Sequence, residues 1–313
     1  EYKKHKSGVP SQYRYNGVER GITLEKELAL VKKVARSVEK IGGTMYFVGG
    51  YVRDRKNGKD SKDIDVEIHG ITEEQLVEAL SQYGNVDKIG ASFGVYLIKG
   101  VDIDFALPRV ERQTGVLHTD FDVTVNPFIG TYEASKRRDF TMNALMENVL
   151  TGELIDHFGG MEDIENGIIR MVDEETFKED ALRVLRAIQF SARFVYSIDE
   201  KTRQVAEQME LHHLAKERVY EEIRKGMTKG SPDYFISMLN TFRNVKSLLP
   251  SLLHTMNIRV EPGLSLPINV ALMGTTASDF VFEQVLVDFL QRKQDRSTAR
   301  ACHSFFLDIW MKG

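Results

Sequence analysis

The spacing of apolar residues changes character near residue 160, and this change constrains the fold more than any other feature of the chain. Before it, short strand-like runs alternate with amphipathic helical segments; after it, nearly every periodic segment has helical spacing. Leu24, Leu28, Val31, Val34, Ala35, Val38 and Ile41 recur at helical intervals, with Thr23 as an expected N-cap and Gly42 as an expected stop. A strand is expected over Met45 to Val48, closed by Gly49-Gly50, and a second over Asp63 to Ile68. Thr72 and Gln75 have the spacing of a capping box for a helix reaching Tyr83. Strands follow at 95–98 and 101–107. The polar stretch 108–135, with Gly115, Pro127 and Gly130, reads as a long mobile loop. Helices are expected over 174–194, 200–212, 215–228, 232–243, 278–292 and 296–311, with linkers near 229–232 and 257–267. The pattern is that of an α+β protein: a mixed α/β head followed by an all-α remainder.

Charge adds a second constraint. The 313 residues carry a formal net charge of −4, which does not by itself advertise a nucleic-acid binder. Basic residues nevertheless cluster at 1–20, 109–112 and 136–138, and a local basic surface contacts phosphates whatever the total. The chain has no run of 18 apolar residues, so no membrane span is expected. The basic start has no apolar segment behind it and does not read as a signal peptide. The single cysteine, Cys302, has no internal partner for a disulfide and suits a reducing, cytoplasmic setting.

Four short constellations carry chemistry. Gly49-Gly50-Tyr51-Val52-Arg53-Asp54 follows a strand directly. Such a turn either is simply tight or brings backbone N–H groups and Arg53 to a phosphate. Asp63-Ile64-Asp65 places two carboxylates at i and i+2, on one face of a strand; repulsion between them is relieved by cations such as Mg²⁺. A third acid lies in Val101-Asp102-Ile103-Asp104-Phe105, where Asp102 and Asp104 share parity and the pattern does not choose between them. Arg137-Arg138-Asp139-Phe140-Thr141-Met142-Asn143-Ala144 holds two cations and an Asp139 suited to capping a helix. In Glu179-Asp180-Ala181-Leu182-Arg183-Val184-Leu185-Arg186, helical spacing aligns Asp180, Arg183 and Arg186, either as a surface ion-pair ladder or as a ligand-facing row.

In their order and spacing these constellations, with Glu217-Arg218-Val219 and Glu221/Glu222 after them, resemble the motif series of class II tRNA nucleotidyltransferases and bacterial poly(A) polymerases. The stretches from Gly90 to Gly94 and from Asp156 to Gly160 resemble the same family, and the likeness covers about residues 43–228. The resemblance implies a polymerase-β-like nucleotidyltransferase head with a mixed sheet over 22–160. A basic arm, 1–21, precedes it; a helical neck, 161–229, and a short RNA-binding body, 230–313, follow. It implies a transferase that adds CCA to the 3′ end of tRNA from CTP and ATP without a template, with the acceptor arm of tRNA as partner and two Mg²⁺ ions as cofactors. By the same resemblance Asp63 and Asp65 are the metal ligands, and Asp104 joins them as a catalytic acid. Gly49, Gly50, Arg53, Arg138, Asp139, Asn143, Glu179, Asp180, Arg183 and Arg186 are the nucleotide-binding positions. Poly(A), CC-only and A-only addition use the same motifs and stay open, as does an inactive RNA-binding protein that kept the fold.

The sequence departs from that series in three places. Arg55-Lys56-Asn57 replaces a usual apolar pair, which is expected to weaken local packing. Gln189 replaces a usual arginine, which is expected to lower triphosphate affinity. Residues 229–313 carry no motif of the family, and the chain has no His-Asp dipeptide, so a phosphohydrolase domain is not expected.

Overall fold

The structure is a computed structural model that describes residues 17–248 apart from 62, 90–93, 114–120, 212, 232–233, 236–237 and 239–240. The helices expected at 278–292 and 296–311, Cys302 and most of the basic arm lie outside the described residues. The chain divides into two compact units between Ile164 and Glu165.

The first unit opens with helix α1 (Gly17–Lys40), which begins well before Thr23, so Thr23 lies inside the helix rather than capping it. Its end is as expected: Gly42 takes φ +91° and its N–H reaches the Glu39 carbonyl at 3.0 Å. Strand β1 (Thr44–Val48) leads into helix α2 (Gly49–Lys56), so the glycine pair forms the first turn of a helix. Next come β2 (Asp65–His69), α3 (Glu73–Ser81), β3 (Val86–Ile89), β4 (Val95–Ile98) and β5 (Asp104–Ala106). The Thr72–Gln75 capping box is present in full.

The stretch expected to be a mobile loop is instead partly ordered. Its described residues form β6 (Arg109–Gln113) and β7 (Phe121–Val125), an antiparallel ribbon, and helix α4 (Thr131–Lys136). The polarity of this region belongs to a two-stranded ribbon, which needs only alternation and no wholly apolar run. After a 3₁₀ turn, Thr141–Asn143, come β8 (Met146–Asn148), β9 (Leu154–Ile155) and helix α5 (Gly160–Asn166).

Seven strands make one mixed sheet in the order β3-β4-β5-β2-β1-β8-β9. β2 is central, and Val66, Glu67, Ile68 and His69 on both of its faces are buried. β2 and β5 run parallel, which sets Asp65 directly opposite Asp104. Val34 and Val38 of α1, Ile68 of β2, Leu76 and Leu80 of α3 and Phe105 of β5 are essentially inaccessible. Each such side chain contributes roughly 1.5–3 kcal/mol by leaving water. The core thus holds rigid the strand ends on which the acids sit.

The second unit is built from α6 (Glu174–Lys178), α7 (Leu182–Phe194), α8 (Glu200–Gln208), α9 (Lys216–Lys229) and a short helix, Arg243–Leu248. A small parallel pair, β10 (Ile168–Ile169) and β11 (Ser197–Ile198), ties its start to the end of α7. The single helix expected over 174–194 is broken at 179–181. Asp180 causes the restart, because its Oδ1 accepts the Leu182 N–H at 3.0 Å, as a capping side chain does. Asp173 and Asp199 cap α6 and α8 by accepting from Thr176 and Thr202. α7 and α9 pack together, and Leu185, Ile188, Val219 and Ile223 are buried.

Candidate active site

In the first unit the candidate residues converge where β2, β5, α2 and the 138–143 segment meet. Asp65 opens β2, while Asp63 sits in the bend before it, so the two acids are not on one regular strand as the i, i+2 spacing suggested. They remain electrostatic neighbours. Burial pushes the Asp65 carboxyl up to about 6; Arg138 opposes that rise, Asp104 and Asp63 add to it, and Arg53 opposes it again. Asp104 is also held above the usual carboxylate range, by desolvation first and by Asp102 second. The topology resolves the parity question: Asp104 is in β5 and faces Asp65 in register, whereas Asp102 precedes the strand.

Gly49 starts α2 at φ +61°, a conformation costly for other residues. A Cβ there would stand 3.5 Å from Arg138 Nη1 and 3.7 Å from Asp65 Oδ2. The first turn of α2, the Arg138 guanidinium and the Asp65 carboxylate therefore share one small space. Gly50 lies over Arg53, with 3.4 Å from a Cβ position to Nη2. Arg53 is only 4% exposed. It donates to Asp54 Oδ1 from Nε at 2.8 Å and to Asn143 Oδ1 from Nη1 at 2.6 Å. Asn143 in turn donates to Asp139 Oδ1 at 3.0 Å, and Asp139 accepts the Phe140 N–H at 2.7 Å. Asp139, a nucleotide-binding position by the resemblance and by type also suited to capping a helix, braces this network, and the segment forms only one 3₁₀ turn, preceded by Phe140.

Several residues that complete the site went unnoticed in the sequence. Glu67, two residues beyond Asp65 and therefore on its face, accepts from Arg138 Nη2 at 3.0 Å. Burial alone would raise its pKa, but Arg138 and His69 outweigh burial and hold it below the usual range. The alternation Asp63, Asp65, Glu67, His69 was the available signal. Arg55 and Lys56, expected to weaken packing, do the opposite. The Arg55 guanidinium lies 5.3 Å from the Tyr51 ring centroid, and both cations reach Glu147 at 2.8 Å. A buried Glu147 on β8 requires them, and an apolar pair would leave it unpaired. Gly160 has a packing reason too: a Cβ there would run into the Thr141 carbonyl.

The second unit holds the other candidates. Asp180 Oδ2 accepts from Arg218 Nη2 on α9 at 3.0 Å, a contact that the 180/183/186 spacing did not suggest. Arg183 Nη1 donates to the Thr176 carbonyl at 2.6 Å. Arg186 lies over the Phe190 ring, 5.1 Å from its centroid, and 3.9 Å from Glu222 Oε1. Glu179, at the end of α6, is half-buried. Gln189 is 1% exposed within α7, so it stands in an interior position and not on an open charged surface. An amide there costs less to bury than a guanidinium.

Among the described residues no group of three or more His, Cys, Asp or Glu side chains is arranged to cage a metal alone. The acids present nevertheless fit Mg²⁺, which takes one or two carboxylates and completes its shell with water and substrate phosphate. An Asp65 carboxyl destabilised by burial and by two neighbouring acids is the environment a divalent cation relieves.

Residues 45–170 match the poly A polymerase head domain. Over 215 residues the chain is 36% identical to the Multifunctional CCA protein of Stenotrophomonas maltophilia (strain K279a), a match that covers 66% of this chain and 52% of the relative. The chain spans about half the length of the curated relatives it matches. Two solved structures of a CCA-adding enzyme, one with ATP and one with CTP, superpose with TM-scores of 0.64 and 0.63 at 25% identity. They cover 91% and 92% of this chain and 68% of each enzyme chain.

Proposed function

We infer that this chain belongs to the family of CCA-adding tRNA nucleotidyltransferases and poly(A) polymerases, and on that premise that it adds C and A residues to the 3′ end of tRNA from CTP and ATP, releasing pyrophosphate. One observation carries the reading. Asp65, register partner of Asp104, meets the first turn of α2 and the Arg138 guanidinium at the glycine at 49. Acids for cations, backbone N–H groups and an arginine for phosphates are what phosphoryl transfer from a nucleotide requires.

Asp63 and Asp65 are the residues that would hold two Mg²⁺ ions, with Asp104, the register partner of Asp65, as a further catalytic acid. With the cations bound, the 3′-hydroxyl proton is more easily lost and charge on the leaving pyrophosphate is neutralised. The N–H groups at Gly49 and Gly50 and the Arg138 guanidinium orient the triphosphate. Arg53 adds positive charge beneath that turn and ties down Asn143 and Asp139 rather than reaching outward. In the second unit Asp180 and Arg183 read the base, with Arg186 and Glu179 beside them. A carboxylate only accepts and a guanidinium only donates. Cytosine and adenine each offer an amino donor beside a ring acceptor, whereas uracil and guanine offer a keto oxygen beside a ring N–H.

We place the reaction in the cytoplasm, where tRNA and nucleotides meet; among the described residues no helix is long and apolar enough to cross a membrane. The test is a tRNA lacking its 3′ CCA, Mg²⁺ and each labelled nucleotide in turn. Incorporation of C and then A, ending at CCA, is the expected result. Long A tails would indicate poly(A) polymerase, C without A or A without C a partial enzyme, and no incorporation an RNA-binding protein without activity.

A further inference from the structure

We propose that Glu67 is a positioning residue for nucleotide binding: it holds the Arg138 guanidinium in place beside the first turn of α2. The inference rests on the nucleotide role of Arg138 set out above and adds a residue that the motif series does not contain.

Glu67 sits on the central strand β2, two residues beyond Asp65 and on the same face, and is 8% exposed. A carboxylate so buried needs partners for both oxygens. Oε1 meets His69 Nε2 at 2.7 Å and Oε2 accepts from Arg138 Nη2 at 3.0 Å. His69 is held in turn by the Tyr46 ring, which meets it edge-on with centroids 5.4 Å apart and planes at 89°. Tyr46 and Glu67 are register partners across β1 and β2. The brace is therefore built from the rigid centre of the sheet.

Arg138 comes from a less regular place. It follows α4 and is fixed there through its backbone N–H to the Ser135 carbonyl at 3.0 Å. Its long side chain loses much rotamer freedom when it is held in one geometry. Glu67 takes one edge of the guanidinium through Nη2. That leaves Nη1 turned toward Gly49 and the Asp65 carboxylate, where a Cβ on residue 49 would stand only 3.5 Å away. Without Glu67 the Asp65 carboxylate, on which Arg138 already acts, remains beside it, and the cation would lean onto a carboxylate needed for Mg²⁺. Glu67 thus gives Arg138 a fixed anchor apart from that carboxylate, and a nucleotide meets a preset donor.

The test is a double-mutant cycle on the full chain with Glu67→Gln, Arg138→Ala and the pair. Equilibrium binding of CTP with Mg²⁺ is measured alongside KM and kcat for addition to a tRNA lacking CCA. Glu67→Gln should raise the CTP Kd and KM by about tenfold and change kcat by less than about threefold, as expected for a lost charge-assisted anchor. In the Arg138→Ala background it should add nothing further. His69→Leu, which leaves the Glu67–Arg138 bond but loosens its support, should raise Kd by about two- to threefold and serves if Glu67→Gln does not fold. An unchanged Kd in folded Glu67→Gln, or a loss that persists in full without Arg138, overturns the positioning role alone. An unchanged Kd in Arg138→Ala overturns both that role and the nucleotide contact. Intact coupling in CTP binding, in a protein that transfers no nucleotide, would uphold the positioning and refute the proposed reaction.

Discussion

The candidate-site charges of the two units are held differently. In the first, Arg53, Glu67, Asp139 and Glu147 are each no more than 8% exposed, and every one is bonded to a named partner. In the second, Asp180 and Arg218 pair with side chains 28% and 46% exposed, and Arg186, at 31%, stands beside the one strongly buried partner of this row, Glu222 at 3%. Buried charges cost several kcal/mol each to desolvate and are retained only when their geometry is fixed, whereas half-exposed pairs contribute about 0–1 kcal/mol and rearrange easily. The first unit is thus built like a preorganised electrostatic site. The second keeps Asp180 and Arg218 of its candidate row partly open to solvent.

The largest expected effect tests the rigid side of this contrast. Asp65→Ala or Asp63→Ala should reduce nucleotide addition by at least about 10³-fold, the scale on which a cation site or an equivalent electrostatic element acts. Circular dichroism and tRNA affinity should stay close to wild type. Near-normal turnover in a folded variant would remove the acids from the chemistry and with them the reason for the buried array.

On the adaptable side the effect is smaller and falls on selectivity. Asp180→Ala should narrow the kcat/KM ratio of CTP over UTP by about 10- to 100-fold, because the acceptor that repels the uracil keto oxygen is gone. If Asp180 serves only its bond to Arg218 and its cap on the Leu182 N–H, the ratio will be unchanged and stability will fall by about 1–2 kcal/mol. Comparing kcat/KM for all four nucleotides in wild type and variant separates the two.

A pH experiment returns to the first unit. The Asp65 carboxyl stands at about 6 against an ordinary 3.8, so the metal-free fold favours its neutral form. The sign follows: this contribution to stability is complete below about pH 4 and is lost as pH rises through 6, by up to about 2–3 kcal/mol. Glu67 and Glu147 are held low and act with the opposite slope at lower pH. The measurement is therefore the difference between wild type and Asp65→Asn in denaturant midpoint, in chelator, at pH 4.5 and 7. Mg²⁺ should recover the loss at pH 7, and its half-saturation should rise as pH falls below 6. A difference that does not change with pH would mean Asp65 is ordinarily acidic and the site less strained than its burial indicates.

What the sequence made legible follows the same division. Local rules worked where one segment decides its own structure: the Thr72–Gln75 box, the stop at Gly42, the strand before Gly49 and the helix character beyond residue 160. They failed where a distant strand decides. Asp104 was separable from Asp102 only through the parallel pairing of β2 with β5. Arg55 and Lys56 looked like a defect because Glu147 is 92 and 91 positions away in sequence and adjacent only through the β1–β8 pairing. The Asp180 row looked like a continuous helix because a side chain that caps its own backbone leaves no trace in apolar spacing.

The smallest effect separates the units by their backbone. Both contain a left-handed residue at a critical turn, but the first unit places glycine at 49 with φ +61°, whereas the second places Val195 at φ 59° to end α7. A β-branched residue there costs roughly 1–2 kcal/mol in clash between its Cβ and the backbone. Val195 recovers little by burial, since it is 70% exposed. Glycine relieves the clash but adds conformational freedom to the unfolded chain, an opposing term of about 0.5–1 kcal/mol. The net expectation for Val195→Gly is a gain of about 0.5–1 kcal/mol, read as a higher denaturant midpoint with an unchanged slope. Selectivity among nucleotides should be untouched, because Tyr196 and Ser191 keep the backbone bond that closes the helix. A lower midpoint would show that Val195 is held by contacts worth more than its strain, and that the second unit is less tolerant of change than its half-exposed charges imply.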